Sequence, residues 1–154
     1  MWQRIQTVYL VLAIICCLTC LTLPVATITT TDMTPDSVVY NLFTVLSNGS
    51  KEFPIFGIIN FVLLLLACTF GSMAIFTYKN RKLQALECAL CITMTIIWIA
   101  IYCICTFSGL VEPAGTMQPS FAACLPIVAL ILFVLARKAI LKDEALVRAA
   151  DRIR

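Results

Sequence analysis

The sequence contains no histidine and few charged side chains, and each shortage excludes a class of protein. Histidine is the commonest metal ligand and proton shuttle in proteins, so its absence from all 154 residues removes the usual basis for a metal centre or an acid–base site. Charged residues make up 12% of the chain, whereas a soluble domain is about one quarter charged. With 62% hydrophobic residues, this is the composition of an integral membrane protein.

Four long apolar runs account for this composition. They cover residues 7–26, 55–78, 83–107 and 120–136. Inside these limits Glu87 is the single charged side chain. A run of about 18 or more apolar residues can cross a hydrocarbon layer about 30 Å thick. The runs therefore predict one membrane domain over 1–154, of the all-α class and built as a four-transmembrane-helix bundle.

Basic residues lie almost entirely on one side of the four runs, and Lys51 alone lies on the other. Loops rich in lysine and arginine stay in the cytoplasm, so we predict that both termini and the turn 79–82 are cytoplasmic. The segments 27–54 and 108–119 then face outward. Because topology alone accounts for the basic charge, we predict no nucleic-acid partner and expect anionic lipid headgroups to be the counter-charge.

The first outer segment, 27–53, favours β-structure. The stretches 27–31 and 37–46 are rich in β-branched and aromatic residues, and turn-forming residues at 32–36 separate them. We therefore predict a small extracytoplasmic β-hairpin between helices 1 and 2. A two-stranded ribbon is marginally stable alone, so we expect this hairpin to rest on the bundle or on a partner.

The other connections and the last run give three further predictions. The segment 108–118 contains two glycines and Pro113 and is predicted to be irregular. The turn 79–82 is short enough to make spans two and three antiparallel neighbours. No glycine or proline occurs in 127–154, so span four is predicted to continue as one helix into a cytoplasmic helical tail, 137–154. A kink is predicted at Pro126, in the outer third of the span.

Glu87 is the candidate for chemistry inside the spans. It lies five residues after Lys82, a helix rise of about 7.5 Å, so it is close to the cytoplasmic boundary. An acidic group in a span is a functional hypothesis by default. Lys82, Arg4 and Arg137 are within reach, so we predict an interfacial ion pair that locks the bundle, with proton or cation coupling as the alternative.

The nine cysteines are predicted to be structural. All of them fall within the predicted spans and none lies in an outer segment, where a disulfide framework would form. Cys88 and Cys91 have the C-x-x-C spacing, but at the cytoplasmic end of span three. In lipid, cysteine acts as a small apolar residue. We therefore predict no metal, no cofactor and no redox centre.

Small and polar residues in the spans indicate which faces pack together. Small residues spaced four apart favour close helix contact, and such pairs are Ala13 with Cys17, Cys16 with Cys20, and Ala67 with Gly71. Span two also carries Asn60, Thr69 and Ser72, and we predict that this polar side faces the bundle.

Polar residues near the two termini and the 79–82 turn form a second group of candidates. We predict that they contact lipid headgroups or a partner at the inner face; they are Gln3, Arg4, Arg81, Lys82, Arg148, Arg152 and Arg154. In the tail, a weakly apolar stripe recurs at helical spacing at Leu146, Ala149, Ala150 and Ile153. This stripe indicates either a contact with lipid or protein, or a solvated helix end that its own ion pairs stabilise.

Several motifs together resemble a four-span family of Bacteroidota bacteria, a domain of unknown function. They are WQRIQTVYL at 2–10, FPIFG at 53–57, NRKLQ at 80–84 and KDEALVR at 142–148, followed by ADRIR at 150–154. The resemblance runs over essentially the whole chain and implies a bacterial inner (cytoplasmic) membrane protein. It implies no activity, so it assigns no catalytic residue.

We therefore predict a non-enzymatic inner-membrane protein, a scaffold or accessory subunit of a membrane protein complex. No set of nucleophile, base and oxyanion donor can be assembled from the sequence, so we predict no enzyme activity. The expected partners are membrane lipids and either a protein partner or a second copy of the chain. The alternative is a small transporter or exporter that acts as an oligomer, for which Glu87 would supply the embedded acid.

Overall fold

Four long helices and a small antiparallel sheet form the computed structural model, which describes residues 3–29, 37–78, 80–108 and 116–151. The helices are α1 (Gln3–Thr22), α2 (Ile55–Phe76), α3 (Arg81–Ser108) and α4 (Leu125–Asp151), and a 3₁₀ turn, Phe121–Cys124, precedes the last one. The strands are β1 (Ala26–Thr29), β2 (Ser37–Val39), β3 (Thr44–Val45), β4 (Lys51–Glu52) and β5 (Thr116–Pro119).

All four helices are long and apolar enough to cross a membrane, which confirms the four predicted spans. Each helix also exposes large apolar side chains, for example Leu12, Val62, Ile96 and Ile131. A surface of this kind is mismatched to water but matches lipid tails, and helices satisfy their own backbone polar groups there. The fold therefore fits a multi-pass membrane protein.

The helices pack as a closed ring in which α1 contacts α2 and α4, and α3 contacts the same two helices. The predicted neighbourhood of spans two and three is confirmed by the α2–α3 contact. Fully buried large side chains fill the centre, among them Leu10, Leu64, Trp98 and Phe133. Each helix of the ring contributes one of these four residues.

Small residues line the helix contacts and let the helices approach closely. Ala13, Cys17 and Ala67 are completely buried, as the small-residue spacing predicted. A Cβ atom built on Gly71 would lie 3.1 Å from Ile14 Cγ1 of α1 and 3.4 Å from Phe133 Cε1 of α4. Gly71 therefore sits where three helices meet and leaves no room for a side chain.

The two ends of the bundle differ in chemistry. The sheet end carries β1–β5, together with the last turns of α1 and α3 and the first turns of α2 and α4. The opposite end, called the basic end here, carries Arg81, Lys82, Arg137 and Lys138. The start of α1 and the end of α4 meet at the basic end, because the Gln6 side chain hydrogen-bonds to that of Asp143.

The sheet has five antiparallel strands in the order β4-β3-β2-β1-β5, and so is larger than the predicted hairpin. β1 pairs with β2, as predicted, with Ala26 opposite Val39. The stretch 37–46 is two strands, because a turn closed by the hydrogen bond from Tyr40 N to Phe43 O divides it. The prediction of an irregular 108–118 was wrong for its last three residues, which form β5 with Pro119 against β1. Residues 109–115 and 30–36 lie outside the described part.

Two predicted helix features were also wrong. Span one ends at Thr22 instead of 26, since Pro24 follows and Val25 N donates to Val39 O, which begins the sheet. Pro126 does not kink the interior of span four. The α-helix begins at Leu125, so Pro126 occupies its first turn, where a missing amide proton costs little. The predicted continuation of span four into the tail is confirmed as far as Asp151.

Candidate functional site

A cavity of about 530 Å³ lies at the sheet end, between the sheet and the helices α2 and α3. Thr44 and Glu52 line it from the sheet, Phe56 and Asn60 from α2, and Tyr102 from α3. Phe56 and Asn60 share one face of α2 because they are four residues apart. The cavity is within the size range of small-molecule sites, which is about 300–1,000 Å³.

Asn41 connects the wall of this cavity to two helices. Its side chain is buried, Nδ2 donates to the Cys20 carbonyl of α1 at 2.6 Å, and Oδ1 accepts from Trp98 Nε1 of α3 at 3.1 Å. Because the amide uses both of its ends, replacement by an apolar side chain would leave an indole donor and a carbonyl acceptor without this partner. Asn41 therefore fixes the chain that follows β2 against the bundle.

Tyr102 continues the same network along α3. Its ring stacks on Trp98 with centroids 5.2 Å apart and planes 5° apart, and its hydroxyl donates to Val25 O at 3.0 Å. The same carbonyl accepts a second hydrogen bond from Ser120 N at 3.0 Å. These contacts hold the junction between α1 and β1 against α3 and the start of the last helix.

Gly57 allows the chain after β2 to lie directly on the first turn of α2. A Cβ atom at Gly57 would stand 3.2 Å from Asn41 O and 3.5 Å from Leu42 O. Both neighbours are backbone atoms, which cannot rotate away as a side-chain end can. Any larger residue would push the chain at 41–42 outward and change the wall of the cavity.

Two polar atoms in the cavity wall are buried and have no hydrogen-bond partner within the part of the chain that the structure describes. They are Asn60 Oδ1 and Thr44 Oγ1, on residues that are 8% and 1% exposed. A buried polar atom left unpaired costs about 1–3 kcal/mol, so such atoms are uncommon in native proteins. Thr44 is paired in register with Glu52, which places the two side chains next to each other on one face of the sheet.

A second group of polar contacts joins all four helices at the basic end. Gln6 Nε2 of α1 donates to Asp143 Oδ2 of α4 at 2.7 Å, and Arg81 Nη1 of α3 donates to Asp143 O at 2.9 Å. Gln84 Nε2 of α3 donates to Ala74 O of α2 at 2.9 Å. These hydrogen bonds tie all four helices together at the basic end.

Glu87 lies inside the bundle near the basic end and is buried. Its Oε1 accepts a hydrogen bond from Thr77 Oγ1 at 3.3 Å, while Oε2 has no hydrogen-bond partner among the described residues. Of the cations proposed for it, Lys82 and Arg137 are exposed, and the side chain of Arg4 is outside the described part. The predicted ion pair stays a prediction.

The structure brings one of the predicted inner-face residues to the polar group at the basic end. Arg81 is half-buried and binds Asp143 O, whereas Lys82 is exposed at the start of α3. The remaining candidates lie outside the described residues or have only their backbone described; they are Gln3, Arg4, Arg148, Arg152 and Arg154.

The polar side of span two is only partly as predicted. Asn60 is buried and faces the cavity, and Ser72 is half-buried with its hydroxyl donating to Cys68 O. Thr69 is exposed, so its predicted orientation was wrong. Its hydroxyl donates to Leu66 O of its own helix, and this local hydrogen bond lets a threonine face lipid.

The nine cysteines are free, and seven of them are buried or half-buried. Cys88 and Cys91 both lie inside the bundle, where Cys91 Sγ donates to Ala67 O at 3.4 Å. Within the described ranges, no group of three or more cysteine or acidic side chains is placed to hold a metal ion. The two ends therefore remain the candidate sites of the molecule.

Sequence comparison matches one family model to a region that includes the candidate sites at both ends of the bundle. A family model described as domain of unknown function DUF4293 matches residues 2–153. The chain belongs to this family. The match confirms the resemblance to a family of unknown function over nearly the whole chain. Comparison with curated proteins gives no match. The DUF4293 region includes both Gln6 and Asp143, and the whole lining of the sheet-end cavity.

Proposed function

We propose that this DUF4293 protein is a non-enzymatic, multi-pass protein of a bacterial inner membrane, and a scaffold or accessory subunit of a membrane protein complex. Both termini are proposed to be cytoplasmic and the sheet extracytoplasmic. The charge distribution supports this orientation, since ten of the eleven basic residues fall on the side of the termini and the 79–82 turn. Lipid headgroups at the inner leaflet then neutralise the basic end.

The observation that carries the subunit proposal is the last part of α4. A buried stripe runs along this helix through Ala136, Ile140 and Asp143, and helical periodicity continues it to Leu146 and Val147. These two side chains are 58% and 45% exposed. The stripe thus extends beyond the part of the bundle that covers it, which is the pattern of a helix end that packs on another protein.

Substitution of this apolar end tests the proposal. Leu146→Glu with Val147→Glu should remove a copurifying partner from the full-length protein in mild detergent, because two charges would have to be desolvated in the contact. Ala145→Glu is the matched control, since Ala145 is exposed on the opposite side of the helix from Asp143. The measurement is affinity purification followed by mass spectrometry with quantified stoichiometry.

The two variants separate the outcomes. Loss of a stoichiometric partner in the double variant, with retention in the Ala145 control, supports docking through α4. An unchanged set of copurifying proteins contradicts it. Release of the protein's tail from anionic vesicles, without loss of any protein partner, would instead mean that lipid covers this face.

A small transporter or exporter that acts as an oligomer is the second candidate, and Glu87 favours it. Its carboxylate is buried, and one oxygen is unpaired among the described residues; an acidic group in a span is a candidate for proton or cation exchange. We expect Glu87→Gln to abolish solute transport in a deletion strain while the amount of membrane-inserted protein stays the same. Full activity of this variant would exclude coupling through Glu87.

A further inference from the structure

The sheet-end cavity has the volume and the polar groups of a ligand site, and we propose that it binds an amphipathic organic cation. The ligand combines an apolar body with an ammonium group. This inference concerns the sheet end and does not depend on what docks at the basic end.

The volume of the cavity and its apolar lining residues favour a ligand with an apolar body. The cavity measures about 530 Å³ and is bordered by Val25, Val39, Phe56 and Met117 as well as by polar groups. An apolar cavity of this size gains stability when an apolar molecule fills it, at about 25 cal/mol for each Å² of buried surface. Phe53 and Phe56 line the cavity and are also exposed, so an amphiphile can enter from the lipid-facing side.

The unpaired polar atoms select a ligand that forms hydrogen bonds. Thr44 Oγ1 and Asn60 Oδ1 approach the cavity from the sheet and from α2, and neither has a partner in the described protein. An ammonium group carries up to three donors, which is enough for both oxygens and for a carboxylate.

Glu52 selects the positive charge. Among the described residues that line the cavity it is the one charged side chain, and its strand register places it beside Thr44. Its neighbour Lys51 points to the other side of the strand, where its ammonium lies 5.0 Å from the centre of the Phe43 ring. The cavity therefore has an acidic group on its wall, and the adjacent base is held elsewhere.

The helix ends and aromatic rings around the cavity agree with this charge. The positive end of the α2 dipole and the negative end of the α3 dipole both border the cavity, so their opposite partial charges offset each other. The full negative charge of Glu52 therefore determines the sign of the electrostatic potential in the cavity. Tyr40, Phe56 and Tyr102 also line the cavity, and aromatic rings attract an organic ammonium.

Binding of matched probes to the purified full-length protein tests the inference. The cation is 2-phenylethylammonium and its neutral partner is 2-phenylethanol, which has the same apolar body. We expect the cation to bind in a non-ionic detergent and to raise Tm, with Kd for the alcohol at least tenfold weaker. Glu52→Gln should weaken cation binding by about threefold to tenfold, whereas Lys51→Gln, one residue away on the other face, should not weaken it.

A lipid arm distinguishes the two sources of an ammonium group. If a phospholipid headgroup is the natural ligand, phosphatidylethanolamine nanodiscs should block the cation, and phosphatidylglycerol nanodiscs should not. If both lipids leave cation binding intact, the site takes a small amine. Asn60→Ser shortens the side chain without adding bulk and serves as a second variant that keeps the fold.

Two results would overturn the inference. One is equal affinity for the cation and the alcohol, which would make the cavity a purely apolar site. The other is cation binding that both Glu52→Gln and Asn60→Ser leave unchanged, which would place the bound cation somewhere else on the protein.

Discussion

Buried polar side chains in this protein join elements that are distant in the chain. Gln6 and Asp143 meet across 137 residues, and Asn41 and Trp98 across 57. Each of these hydrogen bonds connects a different pair of elements, so each one fixes a position that apolar packing leaves free. A buried acceptor that loses such a donor pays its full desolvation cost.

The Gln6–Asp143 pair gives a prediction at this scale. Gln6→Leu leaves a buried carboxylate oxygen without its donor and should lower the stability by about 1–3 kcal/mol. Asp143→Leu should lower it as well, whereas the double variant should lose less than the sum of the two, because both polar groups are then gone. Thermal unfolding in a mild detergent measures all three.

Lys138→Gln is the control for this double-mutant cycle, since Lys138, like Asp143, lies on α4 near the basic end, but is exposed. We expect its effect on Tm to be small. If the effects of Gln6→Leu and Asp143→Leu simply added in the double variant, the pair would not be coupled and the hydrogen bond would contribute nothing to the contact between α1 and α4.

Among the elements, local pattern identified the helices but not the full sheet. Long apolar runs are the sequence pattern of segments that contact lipid, so the number and approximate positions of the helices could be predicted. The β-branched stretch that begins at 27 predicted β1 for the same kind of reason. Strand β5 could not be predicted, because Thr116–Pro119 has no strand pattern of its own and forms only where β1 offers an edge.

For the candidate sites too, features with a local sequence pattern could be predicted, and features that depend on the pairing of separate elements could not. Asn60 could be predicted to face inward because a polar amide is costly against lipid. Its place in a cavity depends on Thr44 and Glu52, which reach it only through the pairing of β3 with β4. The burial of Asp143 in the predicted tail could not be predicted, since a carboxylate near a run of charges gives no local sign of burial.

Helix packing gives a second prediction, at the position where three helices meet. Gly71→Leu adds a side chain where even a Cβ atom lies 3.1 Å from Ile14, so we expect α2 to be displaced and Tm to fall. Overpacking of this kind costs about 1–3 kcal/mol or more. Ala100→Leu is the matched control, because Ala100 is exposed on α3 and can extend into lipid.

Both variants should be compared for the amount inserted, for monodispersity in detergent and for thermal unfolding. A fall in Tm for Gly71→Leu alone is the expected result. Equal behaviour of the two variants would mean that the helices at Gly71 can separate without loss of stability.

At the scale of the whole molecule, the two chemically different ends predict a single orientation. A green fluorescent protein fused after Arg154 should fluoresce, since it folds in the cytoplasm. Alkaline phosphatase fused after Gly49 should be active, because that loop belongs to the sheet end and is proposed to be outside. In the reversed pair, alkaline phosphatase fused after Arg154 should be inactive and green fluorescent protein fused after Gly49 should not fluoresce. An active phosphatase at the carboxyl terminus would contradict the proposed orientation and its charge argument.

The pairing of β1 with β5 also has a consequence for biogenesis. β1 leaves the ribosome directly after the first helix, but its partner on one edge arrives 87 residues later, as shown by the Thr29–Thr116 contact. Strand β1 can therefore be paired only with β2 until the next two helices, α2 and α3, have been synthesised. The sheet can close only when the third helix ends on the same side as β1, so a protein with a misinserted helix would present an unpaired edge of β1, a site at which another strand can pair.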